Sequence, residues 1–372
     1  MTGWLALLLV LPLPAGAQPP VFPQASENCV AESTVVADTV SWAQGRTAAK
    51  DVWPLTRGAG VVVAVLDTGV NAAAGGLSGG VVRTGADVVA GGPGDRDCLG
   101  RGTALAGIVA SRPVSGSAFV GVAPEAAVLP VRLADGKGKI PPGAIAKGLR
   151  AATAAGADVI LLGVGTPTPD ADLRAAVAAA VARDIVVVAP VSDQKPQQGA
   201  PSAAAWYPAA DDRVLAVGGI GPDGTMKEKA GPAAGLDLLA PGAGAVSIGP
   251  TGRGHYTVSG PAVAAAHVAG AAALLRAYRP ELDQAQVRRR LELTAEHPRG
   301  ILDLYAALTD VATYAPAAPE NGARSIALPP VPRPDPAWPI AGAVAAGVVA
   351  TAVLAYVSAL AIRWGRRRRW RP

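Results

Sequence analysis

The sequence predicts an α/β domain with a mostly parallel sheet and crossover helices, tethered by one C-terminal transmembrane helix. Three observations lead there. Between residues 58 and 313, short β-branched runs alternate with Ala-rich stretches, the rhythm of strands joined by helices. Pro261–Tyr278 is apolar on nearly every face, which places a helix in the centre of a domain rather than on its surface. Pro339–Ile362 is a run of 24 residues without a charge. A helix of that length, at ~1.5 Å per residue, crosses a hydrocarbon core of about 30 Å.

Taken in order, residues 1–17 read as a signal peptide. The apolar run Trp4–Leu13 precedes Pro14-Ala15-Gly16-Ala17, an A-x-A cleavage site before Gln18, although no Lys or Arg opens the segment. Residues 18–57 read as an irregular N-terminal extension carrying Cys29, Trp42 and Trp53. Within the domain, 58–313, Gly60–Leu66 is continuously β-branched and reads as a strand buried on both faces. Val159–Val164 and Ile185–Ala189 read as further strands, with helices at Pro142–Ala155 and Asp170–Arg183 before them, and Val214–Gly218 as a short strand. Residues 314–337 hold seven prolines and read as an extended linker. The span, 338–363, has Trp338 and Trp364 at its ends, where amphipathic rings favour the interface. The basic tail, 364–372, then sets the C-terminus in the cytoplasm and the domain outside.

Charge excludes one class of partner. The chain of 372 residues has a net charge of +5, but its last ten residues hold six Arg and no acid, so the rest sums to −1. A nucleic-acid surface needs basic residues on the folded body, so no nucleic-acid partner is expected. The two cysteines allow a single pairing. Export places them in oxidising surroundings, where Cys29–Cys98 becomes the expected disulfide. Gly136-Lys137-Gly138-Lys139 lacks the phosphate-loop spacing and reads as a solvated turn, and no Cys/His cluster has zinc spacing. No cofactor and no metal are expected.

Several segments carry a family resemblance. Val61–Val70 (VVVAVLDTGV) resembles the strand and turn that bear the triad aspartate of subtilases, and Gly121–Leu133 the strand that follows. Tyr207–Thr225 and Leu239–Gly242 resemble later landmarks of that family. Ser259–Leu275 (SGPAVAAAHVAGAAALL) resembles its nucleophile helix, and Arg279–Ala295 the segment after it. The resemblance covers residues 40–310 and implies a subtilisin-like three-layer fold with helices on both faces of the sheet. The flanks narrow it. A signal peptide, a Cys-bearing extension, a Pro-rich linker, one span and a basic tail resemble the layout of mycosins, the subtilases that accompany type VII secretion systems of actinobacteria. Asp97-Cys98 lies just before the position of the family's histidine, where mycosins also carry a cysteine. This resemblance implies a cell-membrane protein whose partners are the type VII secretion membrane complex, with a homo-oligomer inside that complex as one arrangement.

The chemistry departs from that pattern. Serine protease chemistry needs a hydroxyl nucleophile, an imidazole to take its proton, an anion to orient the imidazole and donors for the oxyanion. Asp67 stands at the aspartate. Asp67-Thr68-Gly69 as an aspartic protease loop would need a second such carboxylate, and the chain holds no second DTG. Arg101 stands where the histidine is expected, and a guanidinium cannot act as a base. Ala262 stands at the serine and has no nucleophile. Asp193 stands at the oxyanion asparagine, where a carboxylate opposes the developing charge. Of His255, His267 and His297, His267 falls inside the central helix and reads as a helix histidine with its bonds satisfied. The expectation is a pseudoprotease: a subtilisin-family serine endopeptidase by fold, without its activity. The alternative is an active membrane-tethered endopeptidase with a non-standard nucleophile, for which Ser259 is the nearest upstream hydroxyl.

Overall fold

Val62–Asp67 forms β1, every residue of it buried, and its alternation divides the core in two. Val63 and Val65 enter one layer; Val62, Ala64 and Leu66 enter the other. A strand buried on both faces needs apolar residues on both, which explains its unbroken apolar run. This computed structural model describes residues 18–23, 29–168, 170–192, 205–226, 235–310 and 350–364.

The helices α1 (Trp42–Thr47) and α2 (Ala49–Val52) precede β1. After it come β2 (Ala86–Asp87), α3 (Arg101–Ala110), β3 (Ala127–Arg132), α4 (Ala144–Ala154), β4 (Val159–Leu162), α5 (Ala171–Val181), β5 (Val186–Pro190) and β6 (Leu215–Ile220). The chain continues through β7 (Leu238–Pro241), β8 (Ala245–Ile248), β9 (His255–Val258), α6 (Pro261–Tyr278), α7 (Gln284–Leu293) and α8 (Leu304–Thr309). Seven strands make a parallel sheet in the order β2-β3-β1-β4-β5-β6-β7, and β8 and β9 pair antiparallel beside it. Residues of α3 and α6 fill the layer on one face, those of α4 and α5 the layer on the other. The three-layer expectation is met.

Helix α6 has the limits expected from Pro at its first position and the Arg279-Pro280 stop. Residues 261–275 of it are buried throughout. The Asp170 side chain accepts from Asp172 N–H at the start of α5, and Asp283 with Gln286 forms a capping box at α7.

The irregular extension is a reading the structure corrects. Ser41 and Gln44 build a capping box at α1, Ala48 turns the chain at φ 50°, and α2 follows. Ala43, Ala49 and Val52 join the same core layer as α3 and α6. Helices of six and four residues show no full apolar period, so packing rather than propensity makes them. Upstream, the extension lines β9: Phe22 N–H donates to Thr257 O (2.8 Å), Thr257 N–H to Pro20 O (2.8 Å) and His255 N–H to Val35 O (2.7 Å). Cys29 and Cys98 are disulfide-bonded, as expected.

Residues 316–372 separate from this body as a second unit. In it, 350–364 are helical and exposed. Among the described residues no helix is long and apolar enough to cross a membrane. The rest of the expected span lies outside the described residues, as do the signal peptide, the Pro-rich linker and the basic tail.

The central helix tolerates no extra bulk at Gly270, where an added Cβ would come within 2.6 Å of Val122 Cβ. Gly270→Ala is expected to cost about 2 kcal/mol through overpacking, despite its better helix propensity, read as a lower urea midpoint at an unchanged m-value.

Candidate active site

The sheet order has a switch point where β1 meets β4, because the chain leaves β1 toward β3 on one side and returns to β4 on the other. In open parallel sheets such a switch point, at the carboxyl ends of the strands, is where ligands bind. Asp67 is the last residue of β1 and lies at that point.

The Asp67 side chain is fully buried. Arg101, the first residue of α3, shares its Nε–H between the two carboxylate oxygens at 2.8 and 3.0 Å. Thr68 N–H donates to Oδ1 at 2.7 Å. Arg101 is 30 % exposed, so the pair reaches from the sheet toward the surface. Gly163, just after β4, makes room for it: a Cβ there would lie 1.8 Å from Asp67 Oδ2. This glycine was not singled out from sequence, because its role follows from two strand ends that only the fold brings together.

Local bonds fix where Arg101 starts its helix. Gly100 holds the cap position at φ 79° and offers no side chain. Asp97 supplies the acceptor instead, taking Gly100 N–H on Oδ1 (2.8 Å) and the N–H and hydroxyl of Thr103 on Oδ2 (2.9 and 2.7 Å). Burial raises the Asp97 pKa, its hydrogen bonds partly offset that, and nearby Asp67 adds to the rise. Thr68 Oγ1 accepts Gly102 N–H (2.9 Å) and Thr103 Oγ1 accepts Asn71 N–H (3.0 Å), so the turn after β1 and the start of α3 are knitted together. Val30 N–H donates to Cys98 O (2.9 Å), and the disulfide ties the extension to this loop.

Ala262 is buried in the first turn of α6, after Gly260 and Pro261. No side chain from 261 to 266 carries a hydroxyl. Ser259 lies upstream of the helix, exposed, with its Oγ accepting Gly244 N–H at 2.9 Å. Neither buried histidine serves it. His267 Nδ1 donates to Val263 O at 2.9 Å, the satisfied helix histidine that was expected. On His255, Nδ1 accepts Ala37 N–H (3.2 Å), which leaves Nε2 to donate to Ser117 Oγ (3.2 Å). That ring is therefore a donor toward the hydroxyl and not a base. Asp193 lies outside the described residues. In the Lys137/Lys139 turn, both N–H groups bond Asp135 Oδ1 at 2.9 Å, which lowers the pKa of that carboxyl. Among the described residues no group of His, Cys, Asp and Glu could hold a metal ion.

Two measurements check this geometry. Gly163→Ser is expected to displace the Asp67 carboxylate and cost about 2 kcal/mol, seen in a denaturant midpoint. Burial lowers the His267 pKa from 6.5 to about 4. The fold therefore holds the ring neutral while the unfolded chain protonates as pH falls through 6.5. Stability contributed by neutral His267 is complete above pH 6.5 and declines toward pH 4, by about 3 kcal/mol in all. His267→Gln is expected to flatten that part of the pH–stability curve.

Comparison with known proteins places the whole arrangement. The model of the subtilase family matches residues 58–322. Mycosin-1 of Mycobacterium tuberculosis (strain ATCC 25618 / H37Rv) is 31 % identical over 417 residues, covering 90 % of this chain and 92 % of its own. The alkaline protease of Shouchella clausii is 36 % identical over 267 residues, covering 71 % of this chain and 67 % of its own. Among solved structures, MycP1, described as a serine protease and an essential component of the type VII (ESX-1) secretion system, superposes with a TM-score of 0.63 at 28 % identity, covering 80 % of this chain and 97 % of its own. The chain belongs to the subtilase family, and within it is similar to the mycosins.

Proposed function

We propose that this chain is a mycosin-like pseudoprotease of a type VII secretion system, a membrane-anchored component that binds or braces other proteins. One observation carries the reading: Asp67 is bonded to Arg101, and the helix that would present a nucleophile begins Gly260-Pro261-Ala262. Hydrolysis of a peptide by the subtilase route needs a proton acceptor and a hydroxyl at those two places. Arg101 stays protonated at physiological pH, and Ala262 has only a methyl group. Removing the serine alone costs about as much as removing the whole triad, since the members act as a unit. The retained sheet and crevice still suit an extended peptide, which can add to a strand edge without being cut.

Anchoring rests on the sequence. The uncharged run Pro339–Ile362, the Arg-rich tail behind it and the A-x-A site at residues 15–17 together support export, a single span and a cytoplasmic C-terminus. The likeness to MycP1 supports association with a type VII secretion membrane complex.

Treating membranes that hold the full chain with a fluorophosphonate probe tests the chemistry. No labelling is expected. Labelling that disappears in Ser259→Ala would overturn the pseudoprotease reading in favour of a displaced nucleophile. Purification from the same membranes is expected to recover secretion-complex proteins with the chain, and recovery of the chain alone would contradict a bracing role.

A further inference from the structure

Between α1–α2 and the domain lies a cavity of about 290 Å³ that the site above does not use. Trp53, Ile108, Phe119 and Val122 line it, together with His267 of α6 and Lys50 of α2. Its polar lining is already bonded within the protein. Trp53 Nε1 donates to Val122 O, Gln44 Nε2 to Ala118 O and Thr47 Oγ1 to Ala43 O, while Ser117 Oγ meets His255 and Phe119 N–H. An occupant therefore finds mostly apolar surface, with Lys50 as the polar side chain left to meet it. Water is a poor guest in such a space, since it needs two to four polar partners, whereas an apolar cavity of ~150 Å³ stays dry and takes up benzene. This cavity is nearly twice that size, with room for roughly ten carbons on the same scale.

Its two boundaries differ in exposure and charge. His267 is 4 % exposed, on the central helix. Lys50 is exposed, as is Val40 of the same lining at 63 %, and Lys50 joins no ion pair among the described residues. A lining that includes both an exposed lysine and a residue of the central helix suits an aliphatic chain with one anionic end. We propose that it binds an amphipathic monocarboxylate, an aliphatic acid of medium chain length, with the chain inside and the carboxylate at Lys50. Occupancy would fasten α1 and α2 to the domain, because the cavity wall is shared between them.

The full-length chain in lipid nanodiscs, labelled with a diazirine derivative of octanoate and mapped by peptide mass spectrometry, tests this directly. Label is expected on peptides bearing Trp53 or Phe119, and excess octanoate displaces it more effectively than octanol. Lys50→Ala, a surface change, is expected to weaken octanoate competition about fivefold, the worth of one exposed charge pair, and to leave octanol unaffected. Ala43→Phe, which fills the space, is expected to abolish label on both peptides. Label that excess octanoate does not displace, label confined to 350–364, octanol competing as well as octanoate, or Lys50→Ala without effect would each overturn the proposal. Should Ala43→Phe fail to fold, Lys50→Ala decides alone.

Discussion

The ion pair between Asp67 and Arg101 is the constraint on which the rest of this site depends. A carboxylate at the end of a strand buried on both faces has lost its water, and it must have a partner or give up its charge. Two N–H donors hold it, one from the turn that follows and one from Arg101 at the head of α3. Because Arg101 opens that helix, the same contact fixes where α3 begins relative to the sheet. The Asp97 cap and the Thr68 and Thr103 bonds hold the backbone around it, and the disulfide fastens the extension to the loop in between. Room for the pair comes from Gly163 just after β4.

A pair of this kind explains how a subtilase frame holds the end of β1 to the start of α3. An imidazole in that place would orient against the carboxylate through one N–H. Arg101 offers an N–H to those oxygens and links β1 to α3, but its guanidinium cannot itself take a proton there. At α6, Pro261 opens the helix, and the buried methyl group of Ala262 is compatible with its first turn. Structure and chemistry separate cleanly at both positions. What the two positions keep is the sheet, the start of α3 and the start of α6.

Much of this was legible in the sequence, for particular physical reasons. The limits of α6 were readable because Gly260-Pro261 and Arg279-Pro280 punctuate an apolar run. Strand β1 was readable because burial on both faces demands an unbroken apolar stretch. Three features were not. Helices α1 and α2 are too short to show a period and exist by packing on the core. The start of α3 is hidden because its cap, Asp97, acts from outside the cap position across Gly100. Gly163 matters only through the approach of two strand ends, which no local pattern reports.

A double-mutant cycle on Asp67 and Arg101, read from urea unfolding at pH 7, tests the central claim most directly. Arg101→Ala strands a buried carboxylate and is expected to cost about 3 kcal/mol. Asp67→Ala leaves a partly exposed guanidinium and costs less. If the pair carries the link between sheet and helix, the double mutant is less destabilised than the sum by about 2 kcal/mol. Additive effects would contradict the account, and the two residues would then be neighbours without a shared role.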